Sequence, residues 1–74
     1  MPKLPIISGK ETIKKLEKYG YSIVRQKGSH IRLKHFNQSK FKTITVPLHK
    51  TIKHGLLSQI IKDANLTVEE FIEL

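Results

Sequence analysis

The five residues from His30 to Lys34 alternate strictly between polar and apolar side chains, with Ile31 and Leu33 as the apolar pair. Successive side chains of a β-strand point to opposite faces, so this pattern predicts a strand with one buried face and one face open to water. His30, Arg32 and Lys34 would then share the open face. The chain must therefore build a sheet that is covered on one side only.

Two flanking segments predict further strands. Residues 21–27 favour β-structure and end at the turn dipeptide Gly28-Ser29, and residues 42–46 alternate with Ile44 and Val46 inward. Pro47 cannot donate to a ladder and marks a strand end or an edge position. The orientation of the first strand stays open between two alternatives: one exposes Ser22, Val24 and Gln26, and the other exposes Tyr21, Ile23, Arg25 and Lys27.

Helical signals lie on both sides of these strands. Ser8 and Glu11 form a capping box that opens a helix over about residues 9–19, which Gly20 ends. Apolar residues at helical spacing predict a second helix that stops near Asn65, and a second capping box at Thr67 opens a short final helix. The order α-β-β-β-α with a helical tail predicts an α+β two-layer sandwich, a single domain over residues 1–74.

Charge is distributed unevenly along the chain. Fourteen Lys and Arg against six Asp and Glu give a formal net charge of +8. Residues 21–54 hold eight of these cations, all four histidines and no acid, whereas the chain from Asp63 onward carries four acids and no Lys or Arg. A cationic middle of this kind favours a polyanionic partner such as nucleic acid.

Composition also excludes several classes of protein. The chain has no cysteine, so disulfide frameworks, cysteine-ligated zinc and thiol catalysis are ruled out. The histidine spacings match no common zinc pattern, and we expect neither a metal nor a cofactor. No stretch approaches the ~20 apolar residues of a membrane span, and the N-terminal residues 1–7 are too short for a signal core. We expect a cytoplasmic protein with no membrane contact.

The tripeptide Gly28-Ser29-His30 is the main candidate for chemistry. Glycine permits a tight turn and close approach, serine adds a hydroxyl, and the imidazole stands among Arg25, Lys27 and Arg32. RNA cleavage needs a base for the 2′-OH proton and cations for the charge that builds on phosphorus. His49, just after the third strand, is a candidate for the second acid/base role.

Several blocks together resemble the HicA family of mRNA interferase toxins from HicAB toxin–antitoxin pairs. The resemblance covers about residues 7–71 and is carried by residues 7–11 (ISGKE), 24–30 (VRQKGSH), 45–49 (TVPLH) and the helix start at Gly55-Leu56. It implies a double-stranded-RNA-binding-domain-like fold and metal-independent endoribonuclease activity on mRNA, centred on His30. One block departs from the family pattern, because Leu56 stands where relatives commonly carry threonine after the glycine.

The resemblance also implies partners. A HicB-type antitoxin would mask the catalytic face; we expect a monomeric free toxin and a higher assembly with the antitoxin. The residues expected to bind RNA are Arg25, Lys27, Gly28, Ser29, Arg32 and Lys34. Two other hypotheses fit the same composition: a non-catalytic RNA-binding module, and a small basic assembly protein whose charge placement argues against it.

Overall fold

A computed structural model describes residues 3–74, and Met1 and Pro2 of the predicted domain lie outside the described residues. The elements follow the predicted order: α1 (Gly9–Lys18), β1 (Tyr21–Lys27), β2 (His30–His35), β3 (Ile44–Pro47), α2 (His54–Asp63) and α3 (Val68–Glu73). The strands form one antiparallel sheet in the order β1-β2-β3. This α+β architecture, with helices packed on the sheet, confirms the fold prediction and is consistent with a double-stranded-RNA-binding-domain-like fold.

Both predicted capping boxes are present. At α1 the Glu11 amide donates to Ser8 Oγ at 3.1 Å, while the Ser8 amide donates back to the Glu11 carboxylate. Thr67 and Glu70 make the same reciprocal pair at α3. The α1 helix ends at Lys18, and Gly20, two residues further on, has a φ of +107°, a conformation that residues with a Cβ rarely adopt. Local sequence therefore determines where α1 and α3 begin.

The buried layer lies between the sheet and the helices. Leu33 and Val46 of the sheet are fully buried, as are Leu16, Leu57 and Phe71 of the three helices. Burying a side chain of this size contributes about 1.5–3 kcal/mol, so one helix-covered sheet face supplies most of the stabilising burial. The opposite face, called the open face below, is left to solvent. Among residues 3–74, no helix is long and apolar enough to cross a membrane.

The third strand differs from its predicted bounds. It spans Ile44–Pro47 rather than residues 42–46. The Lys42 carbonyl lies outside the strand and accepts a hydrogen bond from Tyr21 Oη at 3.0 Å. The hydroxyl of the buried Tyr21 side chain therefore supplies the hydrogen-bond donor for this carbonyl. Burial, together with smaller effects of Asp63 and Tyr19, raises the pKa of Tyr21 to about 12.

Candidate functional site

The open face of β2 presents the residues that alternation predicted. His30 and Arg32 are exposed, whereas Ile31 and Leu33 between them are buried against the helices. On the neighbouring strand Thr45 lies directly opposite Arg32, and Pro47 lies opposite His30. The imidazole of His30 therefore stands on solvent-facing sheet, at the hairpin end of β2.

A β-bulge decides the orientation that the sequence left open for β1. The register shifts between Ile23 and Arg25, so that Val24 is the extra residue. Before the bulge, Tyr21 pairs with His35 and points inward; after it, Arg25 pairs with Arg32 and Lys27 pairs with His30. Directly opposed residues of an antiparallel pair share a face, so both cations join the open face. By register, the first alternative holds before the bulge and the second after it, and Tyr21 is the one buried residue of β1.

Five side chains from the three strands line one concavity of about 310 Å³. They are Arg25, Lys27, His30, Arg32 and Thr45. We call this surface the basic concavity. Four of the five are candidate site residues from the sequence; Thr45, which alternates with the inward Ile44 and Val46, is not among those candidates. Only the pairing of β3 with β2 shows that its hydroxyl belongs there.

The turn that precedes His30 has the features of a type II′ hairpin. Lys27 and His30 close it as a pair, and Gly28 has a φ of +59° while Ser29 does not have positive φ. Gln26 Nε2 donates to the Gly28 carbonyl at 3.1 Å, and the Leu48 amide donates to the Ser29 carbonyl at 2.7 Å. Ser29 is thereby fixed between β2 and the end of β3. These bonds hold the turn that orients His30.

Four predicted site residues do not line the basic concavity. Gly28 and Ser29 form the turn before His30, and the other two are Lys34 and His49. Lys34 is half-buried further along β2, and His49 is an exposed residue of the loop after β3 whose carbonyl accepts from the Gly9 amide at 2.9 Å. Neither side chain lines the concavity. Their suggested roles in RNA binding and proton transfer stay predictions.

The basic concavity brings together positively charged side chains from two neighbouring strands. Its cross-strand pairs place Arg25 beside Arg32 and Lys27 beside His30, within a stretch of chain that contains no acid. Guanidinium and ammonium groups around an exposed imidazole suit a phosphate ester, since Arg forms paired hydrogen bonds to phosphate oxygens. Within residues 3–74, no group of three His, Asp or Glu side chains could hold a metal ion.

The chain matches a known protein family over most of its length. The family model described as "HicA toxin of bacterial toxin-antitoxin" matches residues 9–66, which include all three strands, α1 and α2. The curated proteins contain no match to this chain. A family match over this share of 74 residues, with the fold and the basic concavity in place, settles the membership: the chain belongs to the HicA toxin family of toxin–antitoxin systems.

Proposed function

We propose that the chain is an endoribonuclease toxin that cleaves mRNA by metal-independent acid/base catalysis, with His30 as the central catalytic residue. The observation that carries the proposal is the basic concavity, where an exposed histidine stands among three cations on an acid-free sheet face. Family membership supports the same activity, which is general for HicA toxins.

The chemistry requires few groups. His30 takes the proton of a ribose 2′-OH, whose oxygen attacks the adjacent phosphorus while the bond to the 5′ oxygen breaks. The products carry a cyclic phosphate and a free 5′-OH. Arg25, Lys27 and Arg32 bind the phosphate and stabilise the negative charge that develops on its oxygens. Because the nucleophile belongs to the substrate, the protein has to supply only proton transfer and positive charge.

The departing 5′ oxygen needs a proton as well. His49 is the proposed donor, since its loop begins directly after Pro47, the cross-strand partner of His30. Ser29 would orient the phosphate from the turn, together with the Gly28 backbone. Lys34 would bind the RNA backbone beyond the basic concavity.

As a member of a toxin–antitoxin family, the chain has a cognate antitoxin as partner. We propose that this is a HicB-type protein that covers the open face, and that it presents acidic groups to the cations there. The free toxin would be monomeric and cytoplasmic, where mRNA is available, and would enter a higher assembly with its antitoxin.

The test is cleavage of an end-labelled single-stranded RNA by the purified protein in excess EDTA. His30→Ala should lower the rate about 10²–10⁴-fold and leave RNA binding intact, because one acid/base group contributes about that much. His54→Ala is the matched control, an exposed histidine on α2 that should keep wild-type activity. Cleavage by His30→Ala at the wild-type rate would refute the assignment. A wild-type protein that binds RNA without cleaving it would favour the non-catalytic RNA-binding module.

A further inference from the structure

An exposed aromatic ring follows the end of β2 that lies away from His30. Phe36 follows β2 directly and exposes 83% of its surface. Its amide donates to the Gly20 carbonyl at 3.2 Å, so the pairing of β1 and β2 continues to this residue. Phenylalanine is usually buried, where its ring contributes most to stability. A ring presented to solvent from a fixed backbone position therefore suggests a ligand.

The ring is held in place by a buried histidine. Phe36 lies against the His35 ring with centroids 4.4 Å apart, and Phe41 packs against the same imidazole at 4.0 Å. His35 is 4% exposed; its Nδ1 accepts from the Asn37 amide, so its Nε2 carries the proton and donates to the Tyr19 carbonyl at 2.8 Å. His35 thus contacts both phenyl rings; Phe41 is partly buried, and Phe36 is open to solvent.

Two cationic residues lie along β2 between His30 and Phe36. Between His30 and Phe36, the outward positions of β2 are Arg32 and Lys34. A cationic track that ends on an exposed aromatic ring is the combination by which proteins bind single-stranded nucleic acid, with the backbone on the cations and a base on the ring. Duplex RNA keeps its bases stacked inside the helix and cannot offer one to Phe36.

We propose that Phe36 is a base-stacking site for single-stranded RNA whose scissile phosphate lies at His30. This inference rests on the proposed function and extends it to the substrate's strandedness and to a second contact point. Six residues of β-strand span about 20 Å, and a fully stacked strand advances about 3.4 Å per nucleotide. The stacked base therefore lies no more than about six nucleotides from the cleaved bond.

A protein partner would need a different surface here. Docking patches for proteins are contiguous apolar areas of several hundred Å². The ring lies against His35 and Gly20 instead, and the chain that follows it, residues 37–40 (NQSK), is polar. The surroundings of the ring favour a base over an apolar protein surface.

The experiment measures RNA binding by the His30→Ala protein, which keeps the substrate uncleaved. A set of short RNAs, each with one abasic position, is titrated against the Phe36 forms of that protein. Removing the base at one position should weaken binding about 5- to 150-fold, the range found for base–aromatic stacking, and Phe36→Ala should erase that position's effect. Phe36→Trp should retain it, and Phe36→Leu should lose most of it. Ile72→Ala, which alters an exposed apolar residue of α3, is the matched control.

Phe36→Trp also gives a direct signal, because the chain contains no tryptophan. Its emission should be quenched by intact RNA and not by the RNA that lacks the critical base. An abasic profile that Phe36→Ala leaves unchanged would overturn the inference. So would a Phe36→Ala protein that binds its antitoxin more weakly and RNA normally.

Failure of the proposed function is recognised separately. Cleavage that depends on His30 but not on Phe36 would overturn only the stacking site. A Phe36-dependent abasic profile in a wild-type protein that does not cleave would overturn only the nuclease assignment. Absence of any RNA binding would overturn both.

Discussion

Replacing Arg25 and Arg32 by glutamine, singly and together, tests whether charge repulsion within the basic concavity lowers the free energy of unfolding. The two residues are direct cross-strand partners on the open face. Like charges directly opposite each other destabilise a sheet, whereas opposite charges in the same position stabilise it by about 0.2–1 kcal/mol. Two charges ~7 Å apart in the dielectric of water repel by ~0.6 kcal/mol, which falls inside that range.

The expected result is a gain in stability that does not add. Each single variant removes the repulsion and should unfold at a higher temperature, and the double variant should gain this part only once. Since ~1 kcal/mol shifts the midpoint of a domain of this size by ~4–8 °C, the shift should be between about 1 and 8 °C. Both single variants should cleave RNA more slowly, because they lose a phosphate ligand.

The assay is thermal or urea unfolding of the four proteins at low salt and again in 1 M NaCl. At 1 M the screening length is ~3 Å, so the coupling between the two arginines should approach zero. A coupling that is absent at low salt, or that persists unchanged in 1 M NaCl, would refute the charge-repulsion argument.

Two further predictions concern the fold. Gly9→Ala should destabilise the protein by about 1–3 kcal/mol in urea unfolding, because the added Cβ would overlap the Pro47 carbonyl. The matched variant Gly55→Ala places its Cβ in open space and should be neutral or slightly stabilising. Equal effects of the two substitutions would contradict this packing. For Tyr21, burial raises the pKa from 10 to about 12, so the folded state favours the neutral phenol and the free energy of unfolding should fall as pH rises from 10 through 12. Over this window the free energy of unfolding should fall more for the wild type than for Tyr21→Phe. Parallel curves for the two proteins would rule the linkage out.

Much of the fold could be predicted because its signals are local. The capping boxes at Ser8 and Thr67 and the positive φ of Asn65 and Gly20 depend on a few neighbouring residues. The hydrogen bond from Tyr21 to the Lys42 carbonyl, just before β3, could not be predicted, because its partners are 21 residues apart in the chain. The same holds for Thr45, whose membership of the basic concavity follows from strand register.

The bulge at Val24 joins two requirements that one regular strand cannot meet. Strict alternation would place Tyr21 and Arg25 on the same face of β1, so that either the phenol would leave the core or the guanidinium would enter it. One extra residue reverses the parity between them: Tyr21 stays buried and bonds to Lys42, while Arg25 turns to face Arg32. Fold stability and the basic concavity therefore depend on the same irregularity, which explains why hydrophobic periodicity alone could not orient this strand.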